Sequence, residues 1–222
     1  MAWQLHWLEA EGSLAPWRDR IGAEIDAART AVARLLPPPR LDILVQRLPG
    51  AGIPELGMVG HAYRKALFAL TLDPDNPNFA ASLSGDALRR MVVHEAHHCL
   101  RMGAVGYSRN LGDALVSEGL AGQFVRRLLG TPPEPWEAAA TEAELHAHRP
   151  DAATLAAPRY DHDAWFFGAR GLYPRWIGYT LGYRIVADWL AVEPEPDGAL
   201  WAGVATEAVL AAARGGVLAR EG

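Results

Sequence analysis

The sequence predicts an α+β protein, mainly helical, from three observations. One long helix-period segment lies near the N-terminus, short β-prone runs follow it, and the remainder is almost wholly helical. Between Ala15 and Leu36 the apolar residues Trp17, Ile21, Ile25, Ala28, Val32 and Leu35 recur at three- and four-residue steps until Pro37-Pro38-Pro39 stops them. This is an amphipathic helix. LDILVQR (41–47) is short and β-prone, a Gly/Pro-rich connection covers 48–57, and MVGHAY and ALFALTLD follow before the turn formers Asp73-Pro74-Asp75-Asn76-Pro77. These runs predict two or three strands of a small sheet.

From Ser82 onward, helices alternate with loops. Ser84 or Ser82 can cap a helix through Met102 that Gly103 ends, and Asn110 can cap a second that runs to Leu129 and stops at Gly130. Further helical stretches cover 135–148, 174–191 and 197–214. A chain of 222 residues, half of them apolar, can bury one full core, so the expected organisation is a single domain over 1–222. The helix and small sheet occupy 1–80, and a helical half occupies 82–222.

Charge and cysteine content narrow the function classes. The net charge is −5, and the 21 Lys and Arg residues are scattered instead of forming a basic stripe, which argues against a nucleic-acid partner. Cys99 is the only cysteine, so neither an internal disulfide nor a Cys-rich zinc finger can form, and a reducing compartment fits. MAWQLHWLEAEG lacks the basic start and apolar run of a secretory signal, and no 18-residue window is free of charges. The expectation is a cytoplasmic protein, soluble and without a membrane partner.

HEAHH, residues 94–98, carries the chemistry. On a helix His94 and His98 lie about 40° apart around the axis and about 6 Å apart along it, so both imidazoles can reach one ion. Glu95 then takes the position of the carboxylate that acts on water without being a ligand. A catalytic zinc needs a third protein ligand, and Glu118 is the candidate. It lies twenty residues after His98 in VSEGLAGQF, on a helix that can return against the first. Gly119 and Gly122 on that helix would allow close approach to the motif helix. Met91, Val92, Val93, Ala96, Cys99 and Leu100 surround the motif with apolar side chains, which marks the helix as buried and its polar groups as needing partners. One Zn2+ per chain is the expected cofactor.

VVHEAHHCLRM, then DALVSEGLAGQFV, then WFFGARGLYPRWIGYTLGYRIV together resemble the bacterial predicted Zn-dependent proteases that include the YjaZ-like proteins. The H-E-x-x-H with a glutamate twenty residues on also resembles the gluzincin metallopeptidases typified by thermolysin. The resemblance spans roughly 84–191. It implies a zincin-like fold, with His94, His98 and Glu118 as zinc ligands and Glu95 as general base and acid. Thermolysin-like enzymes carry an aspartate one turn after the glutamate ligand, where this chain has Gly122; Asp113 is a substitute carboxylate.

Peptide hydrolysis also needs a donor for the oxyanion. Arg175, Tyr179 and Tyr183 are spaced by four and share one helical face, with Tyr179 the first choice and Tyr183 the second. Gly178 and Gly182 form a stripe beside them that permits tight helix contact. His162 in DHDAW reads as a helix start, His146 and His148 as a helix end, and His61 as a strand residue. His97 is turned away from the motif face. ALFALTLD could present an open strand edge to an extended peptide, although a core strand is the simpler reading.

The leading function is a zinc metallopeptidase acting on peptides or unfolded segments. The alternative is a non-catalytic zinc-binding or partner-binding protein, which would have no use for Glu95. A third class, hydrolysis of a non-peptide amide or ester, uses the same water chemistry.

Overall fold

The computed structural model describes residues 3–106 and 109–219. They form an α+β protein that groups into two compact units, Met1–Gly103 and Ala104–Gly222.

The first unit is a four-stranded sheet with helices. It contains β1 (Gln4–Leu8), a 3-10 turn (Ala15–Trp17), α1 (Arg18–Val32), β2 (Asp42–Arg47), β3 (Met58–Arg64), β4 (Leu67–Leu72), α2 (Phe79–Ser84) and α3 (Ala87–Ala104). The strand order is β1-β2-β4-β3, with β1, β2 and β4 parallel and β3 antiparallel to β4. A parallel β1–β2 pair needs a crossover, and α1 supplies it. As its period predicts, α1 buries Ile21, Ile25, Ala28 and Val32, but it ends at Val32, four residues short of Leu36. A residue before proline is pushed out of the helical region, and the last turn tightens instead, Leu35 N donating to Val32 O.

One strand expectation changes. The sheet has four strands, because Gln4–Leu8 adds an edge on which no residue is fully buried. ALFALTLD is a core strand, the simpler of its two readings: β4 lies between β2 and β3 and is buried from Phe68 to Leu72, so the edge on that side belongs to β3.

The helix expected from Ser82 to Met102 is two helices. Ser84 closes α2, Gly85 is extended, and α3 starts at Ala87. Arg20 of α1 explains the break. Its guanidinium donates to the carbonyls of Leu83, Ser84 and Gly85, so the carbonyls at the end of α2 have the donors that continuation would have supplied. The same side chain pairs at 2.8 Å with the buried Glu24, which Arg89 of α3 meets from the other side at 2.9 Å. A buried carboxylate with two cations on it ties α1 to α3 and would be costly to leave with one partner removed.

The second unit is helical. It contains α4 (Leu111–Leu129), a 3-10 turn (Pro135–Ala138), α5 (Glu142–Ala147), α6 (Ala152–Ala156), α7 (His162–Phe167), a 3-10 turn (Ala169–Gly171), α8 (Ile177–Val192), α9 (Gly198–Gly203) and α10 (Thr206–Ala213). Asn110 caps α4 by accepting from Asp113 N, and Gly130 ends it in the left-handed region at φ 69°, as expected. The stretch expected at 197–214 divides at Val204, where the chain turns extended. α4 and α8 touch backbone to backbone: a Cβ on Gly119 would lie 2.0 Å from the Gly182 carbonyl oxygen. Trp201 wedges its ring edge-on against Phe124 and Trp189 beside this contact. Among the described residues no helix is long and apolar enough to cross a membrane.

Glycine content therefore has opposite meanings in two helices. Gly119→Ala should destabilise by about 3 kcal/mol through overpacking. Gly22→Ala, in α1 with nothing within 4 Å of the added methyl, should stabilise by about 1 kcal/mol. Urea denaturation of the two variants beside the parent protein measures both signs.

Candidate metal centre

α3 is amphipathic only in a narrow sense. Ala87, Leu88, Val92, Val93, Ala96 and Cys99 are buried, and so are Glu95, His97, His98 and Arg101. Helical spacing brings His94 and His98 together: their Nε2 atoms are 3.0 Å apart, and their rings meet edge-on at 4.7 Å. Nitrogens at about 2.0–2.1 Å from a tetrahedral zinc would stand about 3.3 Å apart, so the pair already converges on one ligand position.

Glu95 follows His94 and is 7% exposed. What makes room for it is Gly60 in the middle of β3, where a Cβ would lie 2.5 Å from both Cγ and Oε1 of Glu95. A side chain at 60 would displace this carboxylate. The sequence reading missed Gly60, although a glycine inside a strand is a signal of close approach.

His94, His98 and Glu118 form the one group among the described residues that could hold a metal ion, with one ligand atom of each within 4.8 Å of the others. His97, fully buried on α3, is not in that group. The donor set, two imidazoles and a carboxylate, fits zinc.

On α4 the residues after Glu118 have specific neighbours. Gly119 meets α8, and a Cβ on Gly122 would lie 2.0 Å from Oε1 of Glu137 and 3.1 Å from the Tyr183 ring. The room at both glycines is thus taken up by α8 and Glu137, where close approach of the motif helix was expected. Glu137 was also missed. It is a buried carboxylate whose Oε2 accepts from Glu134 N at 2.7 Å, and nothing in PPEPWEAAA marks it as inward-facing. Asp113 has other duties: its oxygens accept from Arg109 N and from Thr206 Oγ1, which locks the start of α4 to α10.

Tyr179 and Tyr183 lie on α8, but Arg175 does not. The helix begins at Ile177, and Arg175 sits before Trp176 with its guanidinium 3.7 Å above the indole. Tyr179 is half-buried against Phe166 and Phe167. Tyr183 is 5% exposed, beside Gly122. Burial raises its pKa, Arg126 pulls the other way, and the charge of Glu137 adds to the rise. The phenol is a proton donor throughout the neutral range. Gly178 and Gly182 serve the close packing expected of them, against Phe166 and against Leu115. His162 opens α7 after Asp161, which accepts from Ala164 N, and His61 is exposed on the β3 edge.

Two imidazoles on successive turns and a further glutamate make up a donor set that could hold one metal ion, and the buried Glu95 adjoins His94 in sequence. The chain belongs to the family described as "Predicted Zn-dependent protease (DUF2268)", whose sequence model matches residues 53–209. No curated protein and no solved structure matches it.

The same burial acts on Cys99. Desolvation, followed by the charge of Glu95, pushes its thiol up to about 12, against the opposing effect of a backbone hydrogen bond at Leu67. The thiolate is the reactive form. Cys99 should therefore ignore a thiol-reactive disulfide reagent at pH 8 in the native protein and react fully in denaturant; comparable native and denatured rates would contradict its burial.

Proposed function

We propose that the protein is a zinc-dependent hydrolase, a gluzincin-like metallopeptidase that cleaves peptide bonds in peptides or unfolded protein segments. Its organisation would be a single zincin-like domain working in the reducing cytoplasm, without nucleic-acid or membrane partners. The observation that carries the reading is Glu95. A purely structural metal site has no need of a carboxylate beside its ligands, and here one is buried next to His94 in space that a glycine keeps open.

His94, His98 and Glu118 would hold the ion. When bound, zinc supplies a Lewis acid that acidifies water and polarises a carbonyl. Glu95 takes the proton of the attacking water and delivers it to the amine as the C–N bond breaks, serving as base and then acid. Its close fit against Gly60 of β3 limits the conformations open to the carboxylate. Tyr179, or Tyr183 in second place, donates its hydroxyl hydrogen to the oxyanion as charge develops on the carbonyl oxygen. The edge of β3 suits an extended peptide held by main-chain hydrogen bonds, since Gly60 on that strand abuts Glu95.

Elemental analysis of the purified, untagged protein should find about one zinc per chain, falling sharply in Glu118→Ala. Absence of metal after zinc is supplied and the excess removed would end the peptidase reading. In Glu95→Gln the zinc should remain while cleavage of a peptide library drops by about 10²–10⁴-fold. Unchanged cleavage in that variant would remove Glu95 from the mechanism. Gly60→Ala, which displaces the carboxylate without altering a ligand, should keep zinc and lose at least about tenfold in kcat.

A further inference from the structure

A cavity of about 380 Å³ lies in the second unit, between α5 and the turn that follows α10. That is the size of a small-molecule pocket. Glu142, Leu145, His146 and Arg149 line one side of it, and Gly216 and Val217 the other.

Both sides are anchored on α8, by residues one helical turn apart. Arg184 ion-pairs with Glu142, and Asp188 Oδ2 accepts from Val217 N at 2.8 Å. A Cβ on Gly216 would lie 2.2 Å from that same oxygen, so the glycine lets the turn press onto Asp188. Ahead of α5, Thr180 Oγ1 of α8 accepts from Ala139 N and Ala140 N at 3.1 and 3.2 Å, and a capping box between Thr141 and Glu144 starts the helix. Walls held by such contacts need little ordering when a ligand arrives.

The charges around the cavity are unevenly matched. Glu142 has Arg184 as its partner. Arg149 is half-buried, its side chain has no hydrogen bond or ion pair among the described residues, and its Nε is shut off from solvent. A partly desolvated guanidinium in that state gains from an anion, and a carboxylate is a strong partner for it. Beside it, Ala143, Val217 and the buried Leu145 offer aliphatic surface. A phosphate would set about two negative charges against Glu142 with one arginine to offset them, whereas a carboxylate brings a single charge.

We infer that this cavity binds a small monocarboxylate with an aliphatic body, its carboxylate on Arg149 and its body between α5 and Val217. Every residue of the site belongs to the second unit, and none of them takes part in the hydrolysis proposed above. A free organic acid and the C-terminal carboxylate of a peptide share this chemistry.

Isothermal titration calorimetry on the purified full chain tests the site, with hexanoate, hexanol and hexylammonium as probes of one tail and three head groups. Hexanoate should bind with a Kd of about 1 mM or below, and the other two at least about tenfold more weakly. Arg149→Gln should cost hexanoate at least about tenfold in affinity with the thermal melt unchanged, because the side chain it removes makes no hydrogen bond or ion pair. Ala143→Trp, which fills the cavity and keeps Arg149, should weaken hexanoate by a similar factor. Two short peptides ending in leucine, one a free acid and one an amide, separate the sources. A free acid that binds more tightly than hexanoate while its amide does not bind assigns the site to chain termini; a free acid weaker than hexanoate assigns it to small organic acids. Failure of both carboxylates to bind at about 10 mM, equal binding of hexanol, or binding that survives Arg149→Gln overturns the site. Hexanoate binding that survives Arg149→Gln and is lost in Glu118→Ala belongs to the metal centre instead.

Discussion

Burial of α3 together with its ionisable side chains is the constraint on which the rest depends. A helix with apolar neighbours on nearly every side gains by leaving water, yet Glu95 and His98 go with it, and buried polar groups are costly unless matched. Two responses are visible on the helix itself. His94 and His98 turn their Nε2 atoms toward one point, and Glu95 is fitted against a strand that lacks a side chain where the carboxylate lies. The polar cost and the candidate chemistry have the same source.

Close approach is the recurring way in which space for function is made. In the first unit Gly60 lets a carboxylate reach the sheet. In the second, Gly119 and Gly182 bring α4 and α8 to backbone contact, while Gly122 leaves a socket that Glu137 fills from a different element. Gly122 is therefore adjacent to a carboxylate.

Much was legible from local pattern. The three- and four-residue spacing found α1, Asn110 and Gly130 bounded α4, and HEAHH followed by Glu118 gave all three members of the candidate donor group. What was missed has particular causes. The break between α2 and α3 depends on Arg20, some sixty residues away, reaching three carbonyls, and no local propensity reports that. β1 has only half-buried inward residues, so its alternation is faint. Arg175 shares the spacing of Tyr179 and Tyr183, but Trp176 takes a left-handed backbone conformation that periodicity cannot foresee.

By itself the sequence determined the donor chemistry: which residues can ligate, which carboxylate stands beside them, and that an α-helix would hold the two imidazoles on one face. Those depend on side-chain type and the 3.6-residue turn, both local properties. Tertiary structure alone decided that β3 and not β4 is the edge, that Gly60 is the seat of Glu95, that Glu137 fills the space over Gly122, and that Phe167 is exposed while Phe166 is buried. Each of these is set by contacts between residues distant in the chain, where packing and strand pairing outweigh local preference.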